Sequence, residues 1–257
     1  MLEAPEYLSP SSLTTYLQCP LKYKFSRIDG LKEPATEHTI LGNYVHSILE
    51  NFYRLDAHLR TVETARSLSR QIWDDYAEGV SNVYHRDRDA REKIRLFKWR
   101  AWYCVENLLK MESSQEINFD GIETELNHSI SGVKIKGFID RWSVEDNKIK
   151  IGDYKTGKVP ALRYREDKFD QLLIYGIILS EMQDMEIDTL ELLYIKDGVR
   201  LTNKPKSEDI QKIKNLLVNT RQAIDERCQS EVFETKVGVL CGWCHFKPIC
   251  PAWSKNK

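Results

Sequence analysis

Residues 133–157 read VKIKGFIDRWSVEDNKIKIGDYKTG, two strand-like runs on either side of Asp146-Asn147. Apolar and polar side chains alternate with the period of a half-buried strand, and Asp-Asn is a two-residue turn signal, so the stretch is predicted to form one β-hairpin. With the turn centred there, Glu145 faces Lys148, and counting outward sets Asp140 opposite Asp153. Cross-strand Cβ atoms lie roughly 5 Å apart and like charges so placed repel, an arrangement that makes sense mainly with a cation between them. Lys155 shares the Asp153 face, whereas Tyr154 points away and can offer only its backbone carbonyl. An ordinary solvated hairpin, with Asp140 paired to Arg141 or a lysine, is the alternative.

Outward from the hairpin, GIETELNHSI before it and TLELLYIKDG after it read as further strands. FDQLLIYGIILSEM between them is predicted to be an amphipathic helix, which makes a mixed α/β sheet with a helical crossover. Residues 148–168 carry seven basic against three acidic side chains, including Lys158, Arg163 and Arg165, a candidate nucleic-acid surface beside the carboxylates. SEDIQKIKNLLVNTRQAIDERCQ is predicted to be a late helix. Near the start, Ser9-Pro10-Ser11-Ser12 caps a short helix that ends at Cys19-Pro20, because the residue before a proline is driven out of helical geometry. From Gly42, LGNYVHSILENFYRL places Val45, Ile48, Leu49 and Phe52 on one helical stripe with His46 at its edge. Residues 60–113 predict two or three more helices, with Trp73, Tyr76, Phe97, Trp99 and Trp102 assigned to the core by their helical spacing.

With 257 residues, 41% hydrophobic and 30% charged, the chain has the balance of a globular protein. No apolar run approaches the roughly 20 residues of a membrane span, and MLEAPEYLSP lacks the regions of a signal peptide, so an intracellular (cytoplasmic) protein without a membrane partner is expected. The net charge of -1 does not by itself advertise a nucleic-acid binder.

Cys241-x2-Cys244-x5-Cys250 is compact, and such spacing without a secretion signal favours metal thiolates over disulfides. Candidates for a fourth ligand are Cys19, Cys104, Cys228 and His245, and Cys19, like Cys250, is followed by proline; inert thiols are the alternative. Zinc and a 4Fe-4S cluster both accept four thiolates, and spacing alone does not choose. Joining Cys19 to Cys241 would close a loop of about 220 residues, on the order of 5 kcal/mol of denatured-state entropy.

Taken in order, SPSSLTTYLQCPLKYKF, the GNYVH of Gly42 to His46, GFIDRW, GDYKTGK, Gln171-x3-Tyr175 and the C-x2-C-x5-C tail resemble the RecB-type PD-(D/E)XK nucleases. The likeness is closest to their iron-sulfur branch, the CRISPR-associated single-strand exonucleases and the AddB nuclease domain. It implies one restriction-endonuclease-like nuclease domain over 1–257, with a helical insertion at about 50–115, a catalytic α/β core at 116–200 and cluster-binding segments at 1–30 and 228–257. It also implies that His46, Asp140 and Asp153 bind Mg²⁺ or Mn²⁺ with the Tyr154 carbonyl, that Lys155 orients or deprotonates the attacking water, and that Gln171 and Tyr175 stand near the scissile phosphate. Cys19, Cys241, Cys244 and Cys250 match the four 4Fe-4S ligands, while the upstream acidic position falls on Glu123 or Glu125. The implied activity is a DNA exonuclease on single strands or ends, in repair, recombination, phage DNA metabolism or CRISPR adaptation. No G-x4-G-K-[ST] motor motif is found, so a helicase or CRISPR-adaptation partner is an open implication. The competing readings are a DNA-binding iron-sulfur partner in a larger complex without cleavage of its own, and a zinc-stabilised scaffold. A histidine in the shell softens it toward Mn²⁺.

Overall fold

The computed structural model describes residues 2–162 and 165–254. Helices run as α1 (Pro10–Gln18), α2 (Pro20–Tyr23), α3 (Glu37–Tyr53), α4 (Val62–Tyr84) and α5 (Ala90–Met111). Strands β1 (Gly121–Ile130), β2 (Val133–Glu145) and β3 (Lys148–Lys155) follow, then α6 (Asp170–Gln183), β4 (Glu186–Tyr194), β5 (Val199–Asn203), α7 (Ser207–Ser230) and α8 (Pro251–Ser254). The five strands form one mixed sheet in the order β1-β2-β3-β4-β5. The chain divides into two compact units, residues 1–34, 126–137 and 206–257, and residues 35–125 and 138–205.

The second unit contains the hairpin from Phe138 onward. Asp146 and Asn147 both adopt left-handed backbone (φ 50° and 58°), the primed two-residue turn whose twist matches its flanking strands. Glu145 pairs with Lys148 as expected, and the antiparallel register continues to Arg141 opposite Gly152. β3 then pairs in parallel with β4, a connection that needs a crossover, and α6 supplies it. The expected amphipathic character of α6 is not found. Leu172 through Leu179 are all buried, because a crossover helix enclosed by its surroundings has no wet face.

α3 begins five residues before Gly42, where Thr36 and Thr39 form a reciprocal capping box. Val45, Ile48, Leu49 and Phe52 are fully buried and form a core with Val80 of α4, Phe97, Ala101 and Leu108 of α5, and Tyr154 of β3. Phe97 is core as expected, but Trp99 is not; it is 58% exposed. Helical spacing identifies a face, and here Trp99 lies on the face turned away from that core.

In the first unit, Ser9 caps α1 through Ser12 and the helix ends at Cys19 in extended backbone, as the Cys-Pro step requires. Leu8 bridges Ile135 in parallel, and Ile213, Leu217, Ile224 and Cys228 bury one stripe of α7. The two ends of the chain are tied by hydrogen bonds. Leu21 N–H donates to Glu234 O (3.2 Å), Lys236 Nζ donates to Leu17 O (2.8 Å), and Phe25 packs on Phe246 with ring centroids 5.4 Å apart.

Candidate active site

Residues from four elements, all of them in the second unit, come together at the hairpin. α3 carries His46, β1 carries Glu123, β2 carries Asp140, and β3 carries Asp153 and Lys155. His46 Nε2–H donates to Tyr154 O at 2.9 Å, which turns Nδ1 toward Asp140 Oδ1 (3.3 Å) and Glu123 Oε1 (3.7 Å). The Tyr154 carbonyl, expected beside a metal, is thus engaged by His46, while the Tyr154 amide donates to Asp140 Oδ2 at 2.7 Å. A ring nitrogen tethered to a carbonyl fixes the tautomer and aims the other nitrogen, the usual support of a metal-binding histidine.

Asp153 is buried and Lys155 Nζ lies 2.6 Å from its Oδ2. Gln171 Nε2 donates to its Oδ1 at 3.4 Å. Tyr175, one helical turn on, accepts a hydrogen bond from the Phe138 amide and interacts with Gln171, so both α6 residues border the carboxylates. Lys158 is exposed in the following loop, Arg165 donates from Nε to Pro160 O (3.1 Å), and Arg163 lies outside the described residues.

Of the two acidic residues that β1 offers, Glu123 reaches the site. Simple alternation puts Glu123 and Glu125 on the same face, but Glu123 has left-handed backbone (φ 45°), which breaks the alternation. The only sequence signal for this choice is weak, since nothing local forces a glutamate into that conformation. His46, Glu123 and Asp140 each present a donor atom within 4.8 Å of the others. An octahedral Mg²⁺ with ligands at about 2.1 Å spans donor separations of about 3 to 4.2 Å, so this set fits a small divalent ion after little movement.

Electrostatics favour a cation here. Burial and the neighbouring Asp140 charge push Asp153 up to about 6, against the pull of Lys155. Burial works against a charged His46, but Asp140, followed by Glu123 and Asp153, outweighs it and raises the imidazole well above its usual range. Lys155 is likewise raised, burial being outweighed by Asp153, so it is an ammonium at neutral pH. The folded, metal-free site therefore holds protons that the unfolded chain releases. Its stabilising contribution is present at low pH and lost as pH rises, for Asp153 between its usual 3.8 and about 6, and for His46 from 6.5 upward. A divalent cation replaces those protons, so Mn²⁺ should raise the melting temperature more near pH ~8 than near pH ~5.5. Equal shifts at both pH values would contradict this.

The opposite face of the hairpin holds Arg141, 4% exposed. Its guanidinium donates to both oxygens of Glu112 (2.6 and 2.9 Å) and to Tyr154 Oη (3.2 Å), and lies over the Phe119 and Tyr154 rings. Tyr53 Oη also donates to Glu112. Gly152 leaves room for this crossing, since a Cβ there would sit 2.6 Å from Arg141 Nε. The network clamps the Tyr154 ring on one face, while the Tyr154 peptide holds Asp140 and His46 on the other.

Residues 7–251 match the profile of the PD-(D/E)XK nuclease superfamily. The chain belongs to that superfamily. It is 23% identical to the gene 69 protein of Mycobacterium phage L5 over 95% of this chain and 96% of that one. It is 25% identical to a subunit of the ATP-dependent helicase/deoxyribonuclease of Streptococcus agalactiae, over 82% of this chain but only 20% of that protein. A crystal structure of a Eubacterium rectale protein named as a candidate exonuclease superposes with a TM-score of 0.60 at 14% identity, over 98% of this chain and 88% of that one. The mixed sheet flanked by helices is the restriction-endonuclease-like fold of these nucleases, which use divalent metals. Among the described residues, no helix is long and apolar enough to cross a membrane.

Cys19, Cys241, Cys244 and Cys250 all fall in the first unit, each half-buried and free of disulfides. Gly238 N–H donates to Cys241 Sγ at 3.4 Å. Among the described residues, no three of these sulfurs lie within 4.8 Å of one another. Thiolates on tetrahedral zinc, with Zn–S about 2.3 Å, would stand about 3.8 Å apart; a 4Fe-4S cluster interposes iron and sulfide and needs a wider cage.

Proposed function

We propose that this protein is a divalent-metal-dependent deoxyribonuclease, an exonuclease acting on single strands or DNA ends. The observation that carries the reading is the convergence of His46, Glu123 and Asp140, with Asp153 next to Asp140 and in contact with the ammonium of Lys155. In this reading those four side chains, with the Tyr154 carbonyl alongside, hold Mg²⁺ or Mn²⁺. Bound there, such an ion would supply Lewis acidity at the phosphate and make water a better nucleophile at neutral pH. Lys155 keeps its proton, so it orients the water and offsets charge growing on the phosphate and does not act as the base. Gln171 positions Asp153, and Tyr175, pushed up to about 12 by burial, stays a neutral hydroxyl near the scissile group. Lys158 and Arg165 bind the strand leaving the site, with Arg163 beside them in sequence. The deoxyribonuclease name of the streptococcal relative supports DNA as substrate, and a helicase partner is consistent with it.

Digestion of end-labelled single- and double-stranded DNA tests the reading. A ladder progressing from one end with Mn²⁺ or Mg²⁺, and none with chelator, is expected. DNA binding without cleavage under any divalent metal would overturn it in favour of a non-cleaving partner.

The proposal extends to the tail: Cys19, Cys241, Cys244 and Cys250 carry a 4Fe-4S cluster. Support comes from the bonds at Leu17, Leu21 and Phe25, which bring the flanks of Cys19 to residues 234–246. Anaerobically purified protein should contain iron and sulfide, Cys19→Ser should lose them, and Cys104→Ser and Cys228→Ser should keep them. Iron content is the discriminating readout, because Cys104 and Cys228 are buried and their serine variants lose stability for a different reason. Stoichiometric zinc in place of iron would refute the assignment.

A further inference from the structure

Four side chains of α5 stand at successive four-residue intervals, Arg91, Arg95, Trp99 and Tyr103. On a helix such a row forms one continuous ridge, here about 18 Å long. Arg91 and Arg95 are exposed, and Arg95 approaches Glu92 at 4.0 Å. Trp99 and Tyr103 stack on each other with centroids 5.3 Å apart and planes inclined by 16°, at 58% and 39% exposure, beside Leu96 at 46%. Three other aromatic side chains of α4 and α5 are differently placed. Lys98 lies over the Trp73 ring at 3.8 Å, Arg66 over Trp102 at 4.9 Å, and Phe97 is in the core. Single exposed apolar residues need no explanation, but two open, stacked rings continuing a row of two arginines are a patterned surface.

We propose that this ridge binds a single strand of DNA, its phosphates on Arg91 and Arg95 and its bases on Trp99 and Tyr103. The inference rests on the nuclease reading and deepens it by adding a second contact for the same strand. Residues 85–100, HRDRDAREKIRLFKWR, hold seven arginines and lysines against three acidic residues in a chain of net charge -1. Some of that charge is spent internally: Lys93 pairs with Asp87 and Asp89, and Arg100 with Glu37. The arginines of the ridge remain directed outward. A cationic track interleaved with aromatic faces is the chemistry of sequence-tolerant single-strand binding, since every base has a π-face, whereas a duplex hides its bases from stacking. Reach is adequate. The Arg100–Glu37 ion pair ties α5 to the first turn of α3, and Glu37 precedes His46 by nine residues, about 14 Å along the helix. A strand cut at His46 could therefore lie on the ridge a few nucleotides away.

The test compares Trp99→Ala/Tyr103→Ala and Arg91→Ala/Arg95→Ala with wild type, all folded by thermal melt, as expected for exposed positions. Binding of labelled oligo(dT) of about 5 and about 20 nucleotides, and of a duplex of the longer length, is measured in chelator by anisotropy, and cleavage of both single strands is measured with Mn²⁺. The aromatic variant should bind the long strand on the order of tenfold more weakly while cleaving the short one normally. The arginine variant should also flatten the salt dependence of long-strand binding. Unchanged long-strand affinity in both variants overturns the ridge, and so does equal weakening toward duplex and single strand by the aromatic variant. Long-strand binding that depends on the ridge in a protein that never cleaves would sink the nuclease reading and leave the ridge standing.

Discussion

Lys155→Ala is expected to lower metal-dependent DNA cleavage by about 10²- to 10⁴-fold while leaving the fold intact. The side chain is one-third exposed at the rim of the site, so its removal opens no core cavity. Its ammonium contacts Asp153 at 2.6 Å and is, among the described residues, the cation closest to the buried carboxylate. Without it, Asp153 faces Asp140 with only His46 in partial compensation, and its proton affinity rises further. Two consequences separate a role in chemistry from a role in charge balance. If Lys155 only neutralises Asp153, saturating Mn²⁺ should restore turnover. If it orients water at the phosphate, kcat stays low at every metal concentration while DNA affinity changes little. Measured turnover equal to wild type would defeat the assignment of this residue and, with it, the reading of the hairpin as a catalytic centre.

Arg141→Met should destabilise the protein by about 3–5 kcal/mol, a melting-temperature loss on the order of 10 °C. The guanidinium is the shared partner of Glu112 and Glu191, both nearly inaccessible, and its loss leaves buried negative charge. Arg200 reaches both glutamates, at 3.3 and 3.5 Å, and Lys150 reaches Glu191 at 3.6 Å, which holds the cost below that of an isolated buried ion. Removing both members, Arg141→Met with Glu112→Leu, should recover much of the loss, because an absent pair is far less harmful than a broken one. Single and double variants compared by urea melts check this; a double variant as unstable as the sum of its parts would show that packing against Phe119 and Tyr154 outweighs charge. Loss of the clamp on the Tyr154 ring should also loosen the peptide that holds Asp140 and His46, so the double variant should regain more stability than activity.

Local rules carried the parts of this protein that depend on neighbours in the chain. The Asp146-Asn147 turn sets the register of its own hairpin, and with it the shared placement of Asp140, Asp153 and Lys155, because a two-residue loop leaves no freedom to slip. The Ser9 cap, the Cys19-Pro20 stop, the apolar stripe of α3 and the one-turn spacing of Gln171 and Tyr175 are legible for the same reason: each is decided within one or two turns of chain. The tertiary structure decided what those rules do not reach. Glu123 was chosen over Glu125 by a left-handed residue that only its surroundings can hold in place. Trp99 faces outward and α6 is enclosed because periodicity marks a helix face without saying what covers it. Arg141, which the sequence offers as a surface partner for Asp140, crosses to the other face and meets Glu112, twenty-nine residues earlier in the chain. Such contacts join residues distant in sequence, and their energies exist only once the chain has folded.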